Sequence, residues 1–241
     1  MPSLQENLDT WSDPSVWLDH DLGEAWSKEF GGTDILWYSY IYPRIYSMLN
    51  GADLLEIAPG RGRITKYLLQ SCKSYVGYDL SPYCIEYLKS AYDEEFFLND
   101  GKNFANTADD SIDFIFSWDS LVHADEPVLF DYAKESLRVL RDNGVAFIHH
   151  SNNDSINYAG NPHWRGHLKA NSLKKHVEEL GGHVILQEFI TWDDDLREYS
   201  DCITLFSKHG NDKFVGLNNN LFSVIRSENK RILQSYQKEE Y

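Results

Sequence analysis

Between residues 50 and 210 the chain alternates short apolar runs with amphipathic segments, the rhythm of strands and helices taken in turn. DLLEIA (53–58) predicts a buried strand, residues 62–71 a helix, and residues 74–79 a second strand that closes on Asp79. Ser81 and Pro82 then supply a cap and a first turn for another helix. FFLND (96–100) predicts a short strand, SIDFIFSWD (111–119) a fully buried one, and EPVLFDYAKESLRVL (126–140) an amphipathic helix. Asp142-Asn143-Gly144 predicts a turn into a strand over 145–151. After the polar run NNDSINYAGNPHWRGH, a helix over 170–180 ends at Gly181-Gly182. Strands at 183–192 and 201–208 follow as an antiparallel pair. The alternation predicts an α/β fold with a doubly wound, seven-stranded sheet over residues 51–210. Residues 1–50, rich in Trp and Tyr, predict a helical N-terminal cap, and 211–241 a helical C-terminal tail.

The turn after the first strand carries the most chemistry. Residues 56–62 read E-x-A-x-G-x-G, with Glu56, Ala58, Gly60 and Gly62 where a backbone passes close beneath a ligand. A dinucleotide-binding turn, G-x-G-x-x-G, needs a third glycine three residues past the second, and that position is Thr65. An acid at position 56 would repel a pyrophosphate and suits a ligand with a cationic end. Asp79, ending the next strand, stands where a carboxylate can hold both hydroxyls of a ribose.

These residues resemble the class I S-adenosylmethionine-dependent methyltransferases, whose first motif is D/E-x-G-x-G-x-G; Ala58 replaces the first glycine. The resemblance runs over about 50–208. It implies a Rossmann-like methyltransferase sheet and S-adenosylmethionine as cofactor. Carried residue by residue, it implies cofactor contacts from Glu56, Ala58, Gly60, Gly62, Asp79 and Leu80. It places the adenine amino group near Asp100 and Gly101, and cofactor- or substrate-facing groups at Ser117, Trp118 and Asp119. Of Arg61 and Arg63, one is expected to meet the methionine carboxylate, and Arg63 is counted with the cofactor residues. LRVLRDNGVAFIHH is similar to the run L-x-x-L-K-P-G-G before the fifth strand of that family, with Asp142-Asn143-Gly144 in place of Pro-Gly-Gly.

Composition narrows the partners. A formal charge of -16 without any basic run argues against a nucleic-acid substrate. Three cysteines, Cys72, Cys84 and Cys202, lack C-x-x-C spacing and fit reduced thiols. The polar, acidic start is unlike a signal peptide and no apolar run reaches spanning length, so a cytoplasmic protein is expected.

Methyl transfer is an in-line displacement that depends on alignment in a dry pocket, plus a base where the acceptor is a hydroxyl. Candidate bases are Asp119, His123, His149 and His150, with His149 and His150 on opposite faces of one strand. His163-Trp164-Arg165-Gly166-His167 could cover an acceptor. Asp119 with a histidine and Asp193, Asp194, Asp195 or Asp201 could hold Mg²⁺, but nothing has fixed metal-ligand spacing and a metal is not favoured. SWDS after the fourth strand lacks the N-P-P-Y/F signature of amino-group methylation, and Asp and His there favour an oxygen nucleophile. EIAPGRGRIT, FSWDSLVHAD and FIHHSN are also similar to bacterial sugar-modifying methyltransferases, so the expected acceptor is a small hydroxylated molecule such as a sugar. The alternatives are a protein or other small-metabolite methyltransferase, a non-catalytic S-adenosylmethionine-binding module, and a nicotinamide oxidoreductase. The last would lack both the third glycine and a Tyr-x-x-x-Lys pair.

Overall fold

The computed structural model describes residues 3–152, 165–190 and 200–210. The expected tail (211–241), His163, Trp164 and Asp193–Asp195 lie outside the described residues.

Helical segments follow one another between Leu4 and Leu49. Helix α1 (Leu4–Ser12) starts on a capping box in which the Ser3 side chain and Glu6 satisfy each other's backbone amides. Asp13 caps α2 (Pro14–Leu18), and a kinked 3-10 segment runs over Asp21–Phe30. A further helix begins as α3 (Thr33–Ile35), widens to a π-helical stretch over Leu36–Ile41, and ends as α4 (Tyr42–Leu49). Pro43, which has no N–H to give the preceding turn, follows this stretch at the start of α4. Leu36, Tyr40, Ile41 and Ile45 on this helix are wholly buried.

The sheet has seven strands in the order β3-β2-β1-β4-β5-β7-β6. They are β1 (Asp53–Ile57), β2 (Ser74–Asp79), β3 (Glu95–Leu98), β4 (Ile112–Ser117), β5 (Leu140–Ser151), β6 (His183–Ile190) and β7 (Asp201–Ser207). The first five run parallel. β7 lies antiparallel between β5 and β6. Helices α5 (Thr65–Leu68), α6 (Pro82–Ala91), α7 (Glu126–Val139) and α8 (Ala170–Glu179) connect and cover the strands. Alternate residues of the central strands feed two apolar cores: Leu54, Phe114, Phe116 and Phe147 face one, and Leu55, Ile57, Ile115 and Ile148 the other. The chain reverses its winding at β1, so a crevice opens beyond the carboxyl ends of β1, β2 and β4.

Two expectations are corrected. The helix after the first strand is α only over Thr65–Leu68, because residues 58–64 are spent on the turn itself. Asp142-Asn143-Gly144 is not a separate turn: β5 begins at Leu140 directly after α7, and the ladder jumps from Ile112↔Leu140 to Phe114↔Val145. The four residues between bulge out, and Arg141 there reaches Asp53 at 2.9 Å and Asp113 at 2.7 Å. Gly144 is needed at this bulge, since a Cβ would lie 2.8 Å from the Ile112 carbonyl oxygen.

The turn after β1 holds Ala58 at φ 57° and Gly60 at φ 59°. An alanine in the left-handed region carries strain that a glycine avoids, of about 1 kcal/mol. Ala58→Gly should therefore raise unfolding stability by up to about 1 kcal/mol, the gain being trimmed by glycine's larger chain entropy. Urea denaturation checks this; equal or lower stability would show that the turn relieves the strain another way.

Candidate active site

Three strand ends and the cap enclose a cavity of about 360 Å³. Its floor is Glu56, Ala58, Gly60, Asp79, Leu80, Trp118 and Asp119; its roof is the face of the cap that carries Leu4, Asn7, Trp11, Trp17 and Trp26. The size and the mixture of apolar wall with a few convergent polar groups are those of a small-molecule site.

Asp79 is buried at the end of β2. One carboxylate oxygen accepts the Gly60 amide at 2.8 Å and the other the Ser81 amide at 2.8 Å. Burial nevertheless raises its pKa to about 6, against the pull of those amides. Glu56 lies deeper, wholly desolvated. Its Oε2 accepts both Thr65 Oγ1 at 2.7 Å and Tyr75 OH at 2.5 Å. Burial dominates there too, and with the Asp79 charge it outweighs the two hydroxyls and lifts the pKa to about 7. Two adjacent buried carboxyls with raised pKa values make the floor a place where a cation is welcome.

The far wall is an ion pair. Arg63 reaches Asp119 at 2.8 Å and donates to Ser27 of the cap at 2.9 Å. Asp119 sits at φ 58°, a left-handed conformation that aspartate tolerates better than most residues. Burial would raise its pKa, but Arg63, then Arg165 and His149, reverse that and hold it below the usual carboxylate range. The Asp119 amide donates to His149 Nδ1 at 3.1 Å, and His149 Nε2 faces Asp201 Oδ2 at 3.2 Å. Asp201 accepts Arg165 twice, at 2.8 Å each. Burial opposes its charge, yet His149 and Arg165 hold its pKa at about 2.

The other predicted site residues divide plainly. His123 lines the cavity and its ring lies 5.2 Å from that of Trp11. Both nitrogens of His149 are taken by scaffold groups. His150 is corrected outright: it points to the opposite face, where its nitrogens meet Ser151 O and Thr204 Oγ1 at 2.7 Å each. Burial lowers its pKa to about 4. Ser117 is buried and donates to the Ile57 carbonyl, pinning β4 to β1. Gly62 packs against Tyr92 and Leu88, and Gly101 against Leu4. Asp100 is exposed and binds its own loop through Lys102 N and Asn103 Nδ2. None of these last five lines the cavity. Among the described residues no group of three His, Cys, Asp or Glu side chains could hold a metal; Asp119 and Asp201 face arginines instead. Asn7, Trp11, His20 and Tyr132 line the site without having been expected there. The aromatic density of the first fifty residues was the only signal pointing to any of them.

The Glu56 carboxyl has a testable consequence. Raised from its usual 4.5 to about 7, it holds its proton more tightly folded than unfolded. Its contribution to stability therefore falls as pH rises from about 4.5 to about 7. Glu56→Gln should match the parent at low pH and become progressively more stable relative to it across that window. Chemical denaturation at a series of pH values measures the difference; a constant difference would mean that Glu56 titrates normally.

Residues 55–148 match the family model described as a methyltransferase domain. A search of curated proteins gives no sequence match. Solved structures give many. A SAM-dependent methyltransferase from Archaeoglobus fulgidus is similar with a TM-score of 0.57 and 18% identity, over 87% of this chain and 90% of that one. An S-adenosylmethionine-dependent methyltransferase from Clostridium acetobutylicum has a TM-score of 0.59 and 13% identity, over 81% and 97%. A TehB-like SAM-dependent methyltransferase from Corynebacterium glutamicum has a TM-score of 0.56 and 20% identity, over 82% and 100%. At these identities the likeness is one of fold. Residues 55–148 are thus similar to a methyltransferase domain, and the chain has the α/β, Rossmann-like fold of these S-adenosylmethionine-dependent methyltransferases.

Proposed function

We propose that this chain is an S-adenosylmethionine-dependent methyltransferase that transfers the methyl group to a hydroxyl of a small molecule, a sugar or similar polyol being the best fit. The observation that carries the proposal is the single cavity in which a carboxylate floor, suited to the cationic cofactor, meets an aromatic roof and the Asp119–Arg63–His123 wall. The donor set fits the cofactor. Asp79 keeps lone pairs beyond its two amide bonds for the ribose hydroxyls. Glu56, with both hydroxyl bonds on Oε2, has Oε1 for the methionine amine. Gly60 gives the close backbone approach. When bound, the cofactor supplies an electrophilic methyl on a sulfonium, whose charge disappears on transfer.

The chain's own residues then have three tasks. The indoles of Trp11, Trp17 and Trp26, with ring centroids 5.4 to 5.8 Å apart, exclude water and offer faces on which a sugar or flat ring stacks. Arg63 and Asp119 orient hydroxyls as donor and acceptor. Asp119, kept as a low-pKa carboxylate by Arg63, is a weak base, so the imidazole of His123 is the better group to take the acceptor's proton. In this reading His149, His150, Asp100, Gly101, Gly62 and Ser117 support the site rather than touch the reactants.

Calorimetric titration with adenosylmethionine and adenosylhomocysteine, with NAD as control, tests the cofactor assignment. The first two should bind and the third should not. In folded protein, Asp79→Ala should weaken adenosylhomocysteine binding by about 1.5–3 kcal/mol, the worth of charge-assisted bonds to the ribose. Unchanged affinity would remove Asp79 from that role. For the acceptor, a panel of hydroxylated sugars should yield methylated product. His123→Gln should lower turnover about 10²-fold or more while leaving cofactor affinity within about twofold. Product from amines or proteins and none from hydroxyl compounds would reverse the choice of acceptor.

A further inference from the structure

Helix α1 presents one polar side chain on the face it turns to the cavity. Leu4, Asn7 and Trp11 follow each other at helical spacing along that face and all line the site. Asn7 is 7% exposed. Its Nδ2 donates to the His123 carbonyl at 3.0 Å, which fixes which way the amide is turned. Its Oδ1 is buried and has no hydrogen-bond partner among the described residues. A buried acceptor left without a donor is destabilising, so this one calls for a donor that arrives with a ligand.

The topology says which part of the ligand that is. Asp79 closes β2, and the carboxylate and arginine that suit the methionine end, Glu56 and Arg63, lie on the β1 and β4 side. The base must then extend the other way, toward β3. Helix α1 spans from that side, through Leu4, to the loop after β4, where Asn7 holds the His123 carbonyl. Leu4 seats on Gly101, just past β3, where a Cβ would come within 2.6 Å of it. Trp11 lies by Cys84 at the start of α6, its carbonyl 4.0 Å from Sγ. Asn7 sits between them. Asp100, which the family resemblance assigns to the adenine amine, is exposed and turned into its own loop.

We propose that Asn7 reads the cofactor's base, its Oδ1 accepting a hydrogen bond from the exocyclic amine of adenine. Asn7 is thus a specificity-determining residue supplied by the cap rather than by the nucleotide-binding sheet. Cofactor binding then also fastens α1 over the site. The inference rests on the adenosyl-ligand reading above.

The test is equilibrium binding, measured by calorimetry with three ligands: S-adenosylhomocysteine, its inosine counterpart with a carbonyl in place of the amine, and its purine counterpart with hydrogen there. The parent protein should prefer the adenine ligand over each of the others by about tenfold, one hydrogen bond's worth. Asn7→Leu should lose about tenfold for the adenine ligand and little for the purine one, bringing the two affinities together. If the parent binds the purine and adenine ligands equally, the proposal fails without recourse to any variant. It fails equally if folded Asn7→Leu keeps the parent's preference. Should none of the three ligands bind the parent, the cofactor reading itself falls, an outcome distinct from the other two.

Discussion

The carboxylate of Asp79 is the tie on which the site depends. By accepting the Gly60 amide and the Ser81 amide, it joins the turn after β1 to the start of α6. Those are the two loops that converge at the point where the sheet reverses its winding. A backbone amide pointing into a dry crevice needs an acceptor, and one buried acid answers two of them. The cost is a carboxyl whose charged form is disfavoured by burial, and Glu56 beside it shares that cost. Both groups are thus poised for a ligand that brings positive charge.

The cap completes this arrangement. Trp17 lies so close to Gly60 that a Cβ there would fall 2.6 Å from the indole ring, so the glycine serves the roof as well as the floor. Arg63 binds Ser27 on the cap and Asp119 at the end of β4 with one guanidinium. At the far side of the molecule Arg44 of α4 grips Glu188 of β6 through two hydrogen bonds at 2.7 and 2.9 Å. Cap and sheet are therefore one packed unit, and a cap that rich in indole rings serves both as core and as wall.

The adjacent histidines show how a strand's alternation separates roles. His149 faces the Asp119–Asp201–Arg165 group and, by accepting the Asp119 amide, supports that residue in its left-handed conformation. His150, one residue on, is turned into the opposite layer and kept neutral by burial. A base is identified by the face it occupies, which cannot be read from residue type.

Local order made much of the fold legible in the chain. Strand and helix periods, the Ser81-Pro82 helix start, and the small-residue turn between an apolar strand and a helix are determined by neighbours a few positions apart, and they determined the strands of the sheet. The bulge at 141–144 was not legible, because Asp-Asn-Gly satisfies turn and bulge chemistry alike and only pairing with β4 chooses between them. Nor was the roof: the contacts of Asn7 with the His123 carbonyl and of Trp17 with Gly60 join residues 116 and 43 positions apart. Such contacts have no sequence period. The sequence by itself determined the sheet and the placing of Glu56, Gly60 and Asp79 at strand ends, because backbone geometry is local. The tertiary structure alone decided which charges pair, which histidine reaches the cavity and what covers it, because those depend on packing between segments that the chain order leaves free.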